Sequence, residues 1–379
     1  MRWIVLSCLG LLLSACASAP QSSNTSQPAV LASVTKDSPV ALYSGRYFVN
    51  FAAALNQHGE TALRGRLDLQ KSLDYLEQQY QLSLNTQQRE GLASTYSAII
   101  DSTLAALFNS REQQWKYIAS EQSSEPIMVS YYRLVTKQGY AYYRFTWFEG
   151  AIVDMFNLNS GVGAQDTFDL VVDMDSYQRQ HPQQRLERLG DFFNYMRQAN
   201  YTQLMFAYND LPKPLKFHDM VLSGIMQAYT DNPQMVLPAP FVIYMQKQQP
   251  IHPRFFAYYY NQQQYQLAEA CLRVLPKSVL ADVRMQMELA ELYRAKGEQA
   301  QAEALLVEGI LNFPDESFAY LGLLDSSITA GEYQQAELVL KVLYDRFALA
   351  FSRSDFVAFK AGRDFVKSQQ YQRYQNYID

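Results

Sequence analysis

Paired carboxylates, clustered histidines and activated serines are the side-chain sets that could give this chain a reaction to perform. Glu149 and Asp154 lie five residues apart in a stretch that reads as a β-hairpin. Two such carboxyls could work as a glycosidase pair, one protonating the leaving oxygen while the other attacks or activates water. Glu149 falls in the turn and Asp154 in the next strand, however, and exposed polar residues of a sheet fit those positions as well. Ser33-Val34-Thr35-Lys36 has the spacing of a serine nucleophile with a lysine base, but the companion S-D-N and K-T-G motifs are missing, and no G-x-S-x-G elbow occurs. His58, His181, His218 and His252 are far apart, with none three or four residues from another. There is no HExxH, no CxxC and no glycine-rich phosphate loop. Asp166, Asp169, Asp173 and Asp175 form an acidic run without the glycine and terminal glutamate of a calcium loop, and read as a solvated helix face. The expectation is a chain without a catalytic centre, a metal or a cofactor.

The one residue set up for covalent chemistry lies near the start. Met1-Arg2 precedes an apolar stretch from Ile4 to Leu13, and Leu13-Ser14-Ala15 leads into Cys16. This resembles the bacterial lipoprotein signal, in which small residues precede a cysteine that is acylated. The resemblance implies cleavage before Cys16, a thioether-linked diacylglycerol on its sulfur and a further acyl chain on the new amino terminus. The apolar run is too short for a membrane span, which needs about 20 residues. At ~0.8 kcal/mol per buried methylene, two or more acyl chains hold a protein on a bilayer stably. In that class an Asp after the cysteine retains the protein in the inner membrane. Ala17 and Ser18 stand there, which implies the outer membrane, periplasmic face.

The formal charge is −5, and loss of Arg2 with the signal would make it −6, so no basic surplus exists to neutralise a phosphate backbone. Of three cysteines, Cys8 would leave with the signal and Cys16 would carry lipid. Cys271 is then alone, without a disulfide partner, and its helical surroundings suit a small buried hydrophobe. With 28 tyrosines against only 18% charged residues, the surface is polar through phenols and amides, which suits contact with protein or glycan.

The expected organisation is a signal at 1–15, the lipidated cysteine and a disordered tether at 16–42, a small α+β domain at 43–160 and a helical solenoid at 161–379. The tether follows from its Ser, Ala, Thr, Gln and Pro composition. Leu63, Leu67, Leu73, Leu76 and Tyr80 make one helical stripe. A second helix starts after Asn85 and carries Leu92, Tyr96, Ile99, Thr103 and Leu107. Four strands follow, Trp115–Ser120, Ile127–Val135, Tyr140–Phe148 and Ala151–Leu158, joined by tight turns at Lys137-Gln138-Gly139 and Glu149-Gly150. In the third strand Tyr143, Phe145 and Trp147 alternate with Arg144 and Thr146, so one face is expected to meet the helices and the other to be wetter. The set Tyr131, Tyr132, Tyr140, Tyr142, Tyr143, Trp147 and Phe148 exceeds what one face can bury, and the surplus could stack on sugars or on a partner.

After Gly161 the pattern is helical and repeats itself. Gly297-Glu298 recurs as Gly331-Glu332, and Ala268-Glu269 as Ala302-Glu303 and Ala336-Glu337, each after 34 residues. Val283 to Glu316 resembles the tetratricopeptide repeat, with Leu289, Ala290 and Tyr293 in the first helix, Gly297 in the turn, Ala302 and Leu306 in the second helix and Pro314 as the stop. It departs from that pattern at Gln286, where the family has an aromatic, and at Gly309, where it has alanine. Ser317 to Ala350 is a second unit, while His252–Pro276 and Asp191–Pro212 read as weaker ones and Asp355–Tyr377 as a capping pair. The resemblance implies a concave face that holds a partner peptide. Its groove positions fall on Arg284, Met287, Glu291 and Arg294, then on Phe318, Leu321, Asp325 and Ile328. The expected function is a non-catalytic, lipid-anchored scaffold or adaptor that binds an envelope protein or peptide. A periplasmic hydrolase or a glycan binder built on the Tyr-rich α+β domain is the alternative.

Overall fold

Phe48, Phe51, Ala52 and Leu55 recur at helical spacing, and they turn one buried face of α1 (Gly45–His58) inward. The computed structural model describes residues 45–79, 81, 85–108, 113–124, 126–136, 139–181 and 187–378. The signal, Cys16, the tether, Ser33-Val34-Thr35-Lys36 and the turn residues Lys137 and Gln138 lie outside them. The chain divides into two compact units, the first ending at Tyr258 and the second spanning Tyr259–Asp379.

In the first unit α1 is followed by α2 (Glu60–Arg64), α3 (Leu69–Gln79) and α4 (Thr86–Leu107). The sequence stripe from Leu63 is therefore broken. Leu67 leaves the helix to bridge Ile152, whose amide donates to the Arg66 carbonyl at 2.7 Å, and Asp68 then caps α3 through the amides of Gln70 and Lys71. Helix α1 lies ahead of both expected helices.

The sheet is a meander, β1 (Gln113–Ser124), β2 (Ile127–Thr136), β3 (Gly139–Phe148), β4 (Ala151–Asn157) and β5 (Val162–Gly163), antiparallel throughout in the order β1-β2-β3-β4-β5. The four expected strands are present, and the two-residue β5 adds a fifth. Glu149 and Gly150, at φ 46° and 80°, make the tight β3–β4 turn. Trp147 and Phe145 are buried against α1, with the Trp147 ring 5.3 Å from Phe51 and 5.5 Å from Phe48, edge to face. The Asn56 side chain acts as a missing strand neighbour for β1. Its Nδ2 donates to the Trp115 carbonyl at 2.9 Å, and its Oδ1 accepts from the Trp115 amide at 2.6 Å.

The other face of the sheet is not the wetter one expected. Tyr75 of α3 packs with Phe148, Val153 and Ile127, and Arg133, Tyr142, Thr146 and Asp154 are all buried. The rest of the unit is helical: α5 (Ala164–Gln180), α6 (Glu187–Arg197), α7 (Tyr201–Asp210), α8 (Lys213–Lys216), α9 (Asp219–Asp231), α10 (Ala239–Gln248), a 3-10 turn (Pro253–Phe255) and α11 (Phe256–Asn261), which runs on into the second unit.

The second unit continues with α12 (Tyr265–Arg273), α13 (Lys277–Leu280), α14 (Val283–Ala295), α15 (Gln299–Asn312), α16 (Ser317–Ala330), α17 (Tyr333–Phe347), α18 (Arg353–Phe356), α19 (Lys360–Phe365) and α20 (Gln369–Ile378). Its 34-residue period is written in the backbone. Gln263, Gly297 and Gly331 all take positive φ, at 57°, 80° and 79°. In each case the next amide closes the turn on a carbonyl five residues back: Gln264 to Tyr259, Glu298 to Tyr293 and Glu332 to Ser327, at 2.9, 2.8 and 2.8 Å. Ala268, Ala302 and Ala336 are fully buried at the matching positions, as are Leu272, Leu306 and Leu340. Small residues there let paired helices approach, and the leucines fill the layer between pairs. The result is a series of stacked helix pairs, a solenoid-like arrangement in which each pair covers its neighbour's apolar face.

Candidate functional site

Arg284, Met287, Glu291 and Arg294 fall at i, i+3, i+7 and i+10 on α14, hence on one stripe. Phe318, Leu321, Asp325 and Ile328 repeat that spacing on α16. Asp282 holds the start of α14 by accepting from the Arg284 amide at 3.1 Å, which fixes the rotation of the stripe. Two contacts of charged side chains join the two helices. The Arg284 guanidinium carbon lies 3.0 Å from the Phe318 ring centre. Arg294 bonds Asp325 Oδ2 at 2.7 Å while also pairing with Glu291 on its own helix. Met287 and Leu321 pack half-buried on the core between these polar groups.

Seven of the eight expected groove residues are thus on an accessible surface. Ile328 is the exception and is corrected: at 1% exposed it packs inside the unit among Leu324, Leu340 and Leu343, and it cannot touch a partner. Glu291 and Asp325 are 53% and 51% exposed by side chain, whereas Arg294 is only 13% exposed. Partial burial raises the Glu291 pKa, with Arg294 opposing and Asp325 reinforcing that rise. Two half-exposed carboxylates share one largely enclosed guanidinium above an apolar floor.

The two carboxylates weighed as a glycosidase pair have different surroundings. Glu149 sits on its turn 3.9 Å from Lys71, while Asp154 is buried and meets Arg144 at 3.5 Å, so each answers to its own cation. Asp154 is also not an exposed sheet residue; burial pushes its pKa up, against the pull of Arg144. Within the acidic run Asp173 is exposed, but Asp166 is half-buried and is corrected from a solvated position. Its carboxylate accepts from the Gly163 amide at 2.7 Å at the start of α5, and burial raises its pKa to about 6. The side chain of Asp175 lies outside the description. Cys271 is buried. Among the described residues no group of three or more His, Cys, Asp or Glu is placed to hold a metal ion. No described helix is long and apolar enough to cross a membrane.

Sequence reading missed Arg254, whose side chain is 4% exposed. Its Nη1 donates to the Asp219 carbonyl at 2.7 Å and lies 3.1 Å from Asp219 Oδ1, its Nη2 donates to the Gly161 carbonyl at 2.8 Å, and its Nε donates to His252 Nδ1 at 3.1 Å. One arginine thus ties the exit of the sheet to the start of α9 and to the 3-10 turn. No spacing rule announces it, because its partners lie up to 93 residues away. In comparisons with family models, curated proteins and solved structures, none matches this chain.

Proposed function

We propose that this protein is a lipid-anchored adaptor of the bacterial envelope that holds a partner peptide on the α14/α16 face. The observation that carries the reading is the half-exposed Glu291 and Asp325 flanking Arg294 above Met287 and Leu321. Apolar contacts supply affinity on such a face and the carboxylates select for a basic residue in the partner. The lipobox ending at Cys16 supports attachment at the periplasmic face of the outer membrane. The tetratricopeptide-like repeat supports a peptide ligand over a catalytic role.

The test is site-specific photocrosslinking in living cells, with the photoreactive group at Glu288 on the face or at Leu338 on the 65%-exposed outer side of α17. The reading expects a discrete adduct from position 288 alone, lost when Glu291→Gln and Asp325→Asn are combined in a chain that still melts cooperatively. The same adduct from both positions, or none from 288, would remove this face as the binding surface.

A further inference from the structure

A cleft of about 800 Å³ opens in the first unit between the far ends of β2 and β3, the turn after β4, helix α9 and the start of α11. This is within the size range of sites that hold small organic ligands. Leu107, Leu134 and Met226 contribute apolar surface, and Tyr140, Tyr143 and Phe256 contribute half-buried rings. Amides and hydroxyls supply most of the polar lining, through Gln113, Asn159, Gln227, Thr136, Ser160 and Thr230.

Among the described residues two charged side chains line it, and they cancel. Arg254 has its guanidinium committed to the carbonyls of Asp219 and Gly161 and to His252. Asp231 accepts from Gln227 Nε2 at 2.9 Å. Among the described residues, an anionic ligand would face Asp231 with no cation at liberty to meet it, and a cationic one would face Arg254. Burying either charge without a partner is expensive, so the cleft selects for a neutral molecule.

The polar groups are also held in defined orientations. Asn159 Oδ1 accepts from the Tyr142 amide at 2.7 Å, which fixes the flip of that side chain and leaves Nδ2 as a donor. Asn157 locks the turn beneath it, accepting from the amides of Asn159 and Ser160 and donating to the Tyr143 hydroxyl. Gln227 spends Nε2 on Asp231 and keeps Oε1 as an acceptor. Thr230 donates its hydroxyl to the Met226 carbonyl, so its oxygen accepts. Fixed donors and acceptors, ring surfaces and no spare charge among the described residues match one ligand class well. A sugar ring carries hydroxyls around its rim, each able to donate and accept, and apolar C–H faces that lie on aromatic rings.

We propose that this cleft binds an uncharged oligosaccharide. The proposal does not depend on the adaptor reading. Of the seven sheet aromatics, Tyr131, Tyr132, Tyr142, Trp147 and Phe148 are buried, and the remaining two, Tyr140 and Tyr143, line this cleft.

The experiment is calorimetric titration of the full chain, held in a non-glycosidic detergent, with chitotriose, cellotriose and maltotriose as separate probes. At least one is expected to bind saturably. Gln227→Ala, at an exposed position that leaves the core untouched, weakens that binding about 3–10-fold, the value of one hydrogen bond. Ala257→Trp fills the cleft and abolishes binding in a chain with unchanged circular dichroism. Failure of all three probes to bind the wild type would overturn the proposal. Equal binding by the wild type and Gln227→Ala would overturn it too, whether or not Ala257→Trp folds, because the sugar would then sit elsewhere.

Discussion

Arg254 and Gly161, 93 residues apart, meet where Arg254 Nη2 donates to the Gly161 carbonyl at 2.8 Å. The contact exists only because position 161 has no side chain. Gly161 sits at φ +67°, and a Cβ there would run into the His252 ring and the same arginine nitrogen. Arg254→Met therefore strands two backbone carbonyls and removes the bond to His252, for an expected loss on the order of 3 kcal/mol. Gly161→Ala is expected to match or exceed that loss, through backbone strain and through displacement of His252 together. Urea unfolding of the two single variants and the double variant checks this. Losses that simply add would mean that the two residues act independently.

The same junction sets a pH dependence of two opposite signs. Asp166, buried close to Asp154, Asp219 and Asp169, is raised from 3.8 to about 6. Folding therefore favours its proton, and its contribution is complete below pH 4 and lost as the pH rises through 6. His252, buried beside Arg254 and Asp219, is lowered from 6.5 to about 4. Its contribution is complete above pH 6.5 and lost as the pH falls through 4. Asp154 shifts in the sense of Asp166, and His218 in the sense of His252. Asp166→Asn is then expected to make stability rise more steeply between pH 4 and 6.5, while His252→Asn, which keeps a cap for the 3-10 turn, tilts the profile the other way. Denaturant midpoints at pH 4.5, 5.5 and 6.5 decide it. Parallel profiles for all three proteins would show that neither group is shifted.

What could be read from residues alone was what local periodicity encodes. The hairpins follow from alternation and a Glu-Gly turn, and the helix pairs follow from a 34-residue recurrence that the backbone repeats at Gln263, Gly297 and Gly331. Even so, the first of those turns has glutamine, not glycine, so the motif weakens in sequence while its geometry persists. Helix α1 carried its own signal, Phe48, Phe51, Ala52 and Leu55, ahead of the stripe from Leu63. The break at Leu67 carried none, because it is caused by pairing with Ile152, 85 residues on. Polar residues on β3 and β4 suggested a wet face, but that face is covered by Tyr75 and by later helices, a fact of tertiary packing. On the groove, spacing placed seven residues on an accessible surface. It misplaced Ile328 because equivalence with Arg294 at 34 residues does not carry equal exposure.

Cys16 offers a direct test of the proposed anchor. Cys16→Ser leaves the apolar segment Ile4 to Leu13 in place but removes the thiol that would be acylated. The wild type is expected in the membrane fraction, with metabolic incorporation of an alkyne-tagged palmitate. The variant is expected to lose the label. Equal labelling of both proteins would place the acyl chain on another residue or refute acylation at this cysteine.

Gln286 and Gly309 are the two positions at which Val283–Glu316 departs from the tetratricopeptide pattern that it resembles, and they face each other across α14 and α15. A Cβ on Gly309 would lie 3.0 Å from Gln286 Oε1 and 3.2 Å from Ala319 Cβ. The buried Gln286 oxygen has no hydrogen-bond partner, so the glycine gives room to an amide that is already poorly satisfied. Two effects oppose each other in Gly309→Ala. Removing a glycine from a helix interior gains about 0.8–1 kcal/mol in propensity. Overpacking a closed core loses about 1–3 kcal/mol, and the contact with Gln286 is tight enough for that loss to win. Gly309→Ala alone is therefore expected to destabilise. In a Gln286→Ala background the nearer obstacle is gone and only the 3.2 Å approach to Ala319 Cβ remains, so the same substitution is expected to destabilise less. The double-mutant cycle should yield a coupling of at least about 1 kcal/mol, well above the 0.3–0.5 kcal/mol scatter of independent sites. Additive effects would mean that the two departures from the repeat arose without regard to each other.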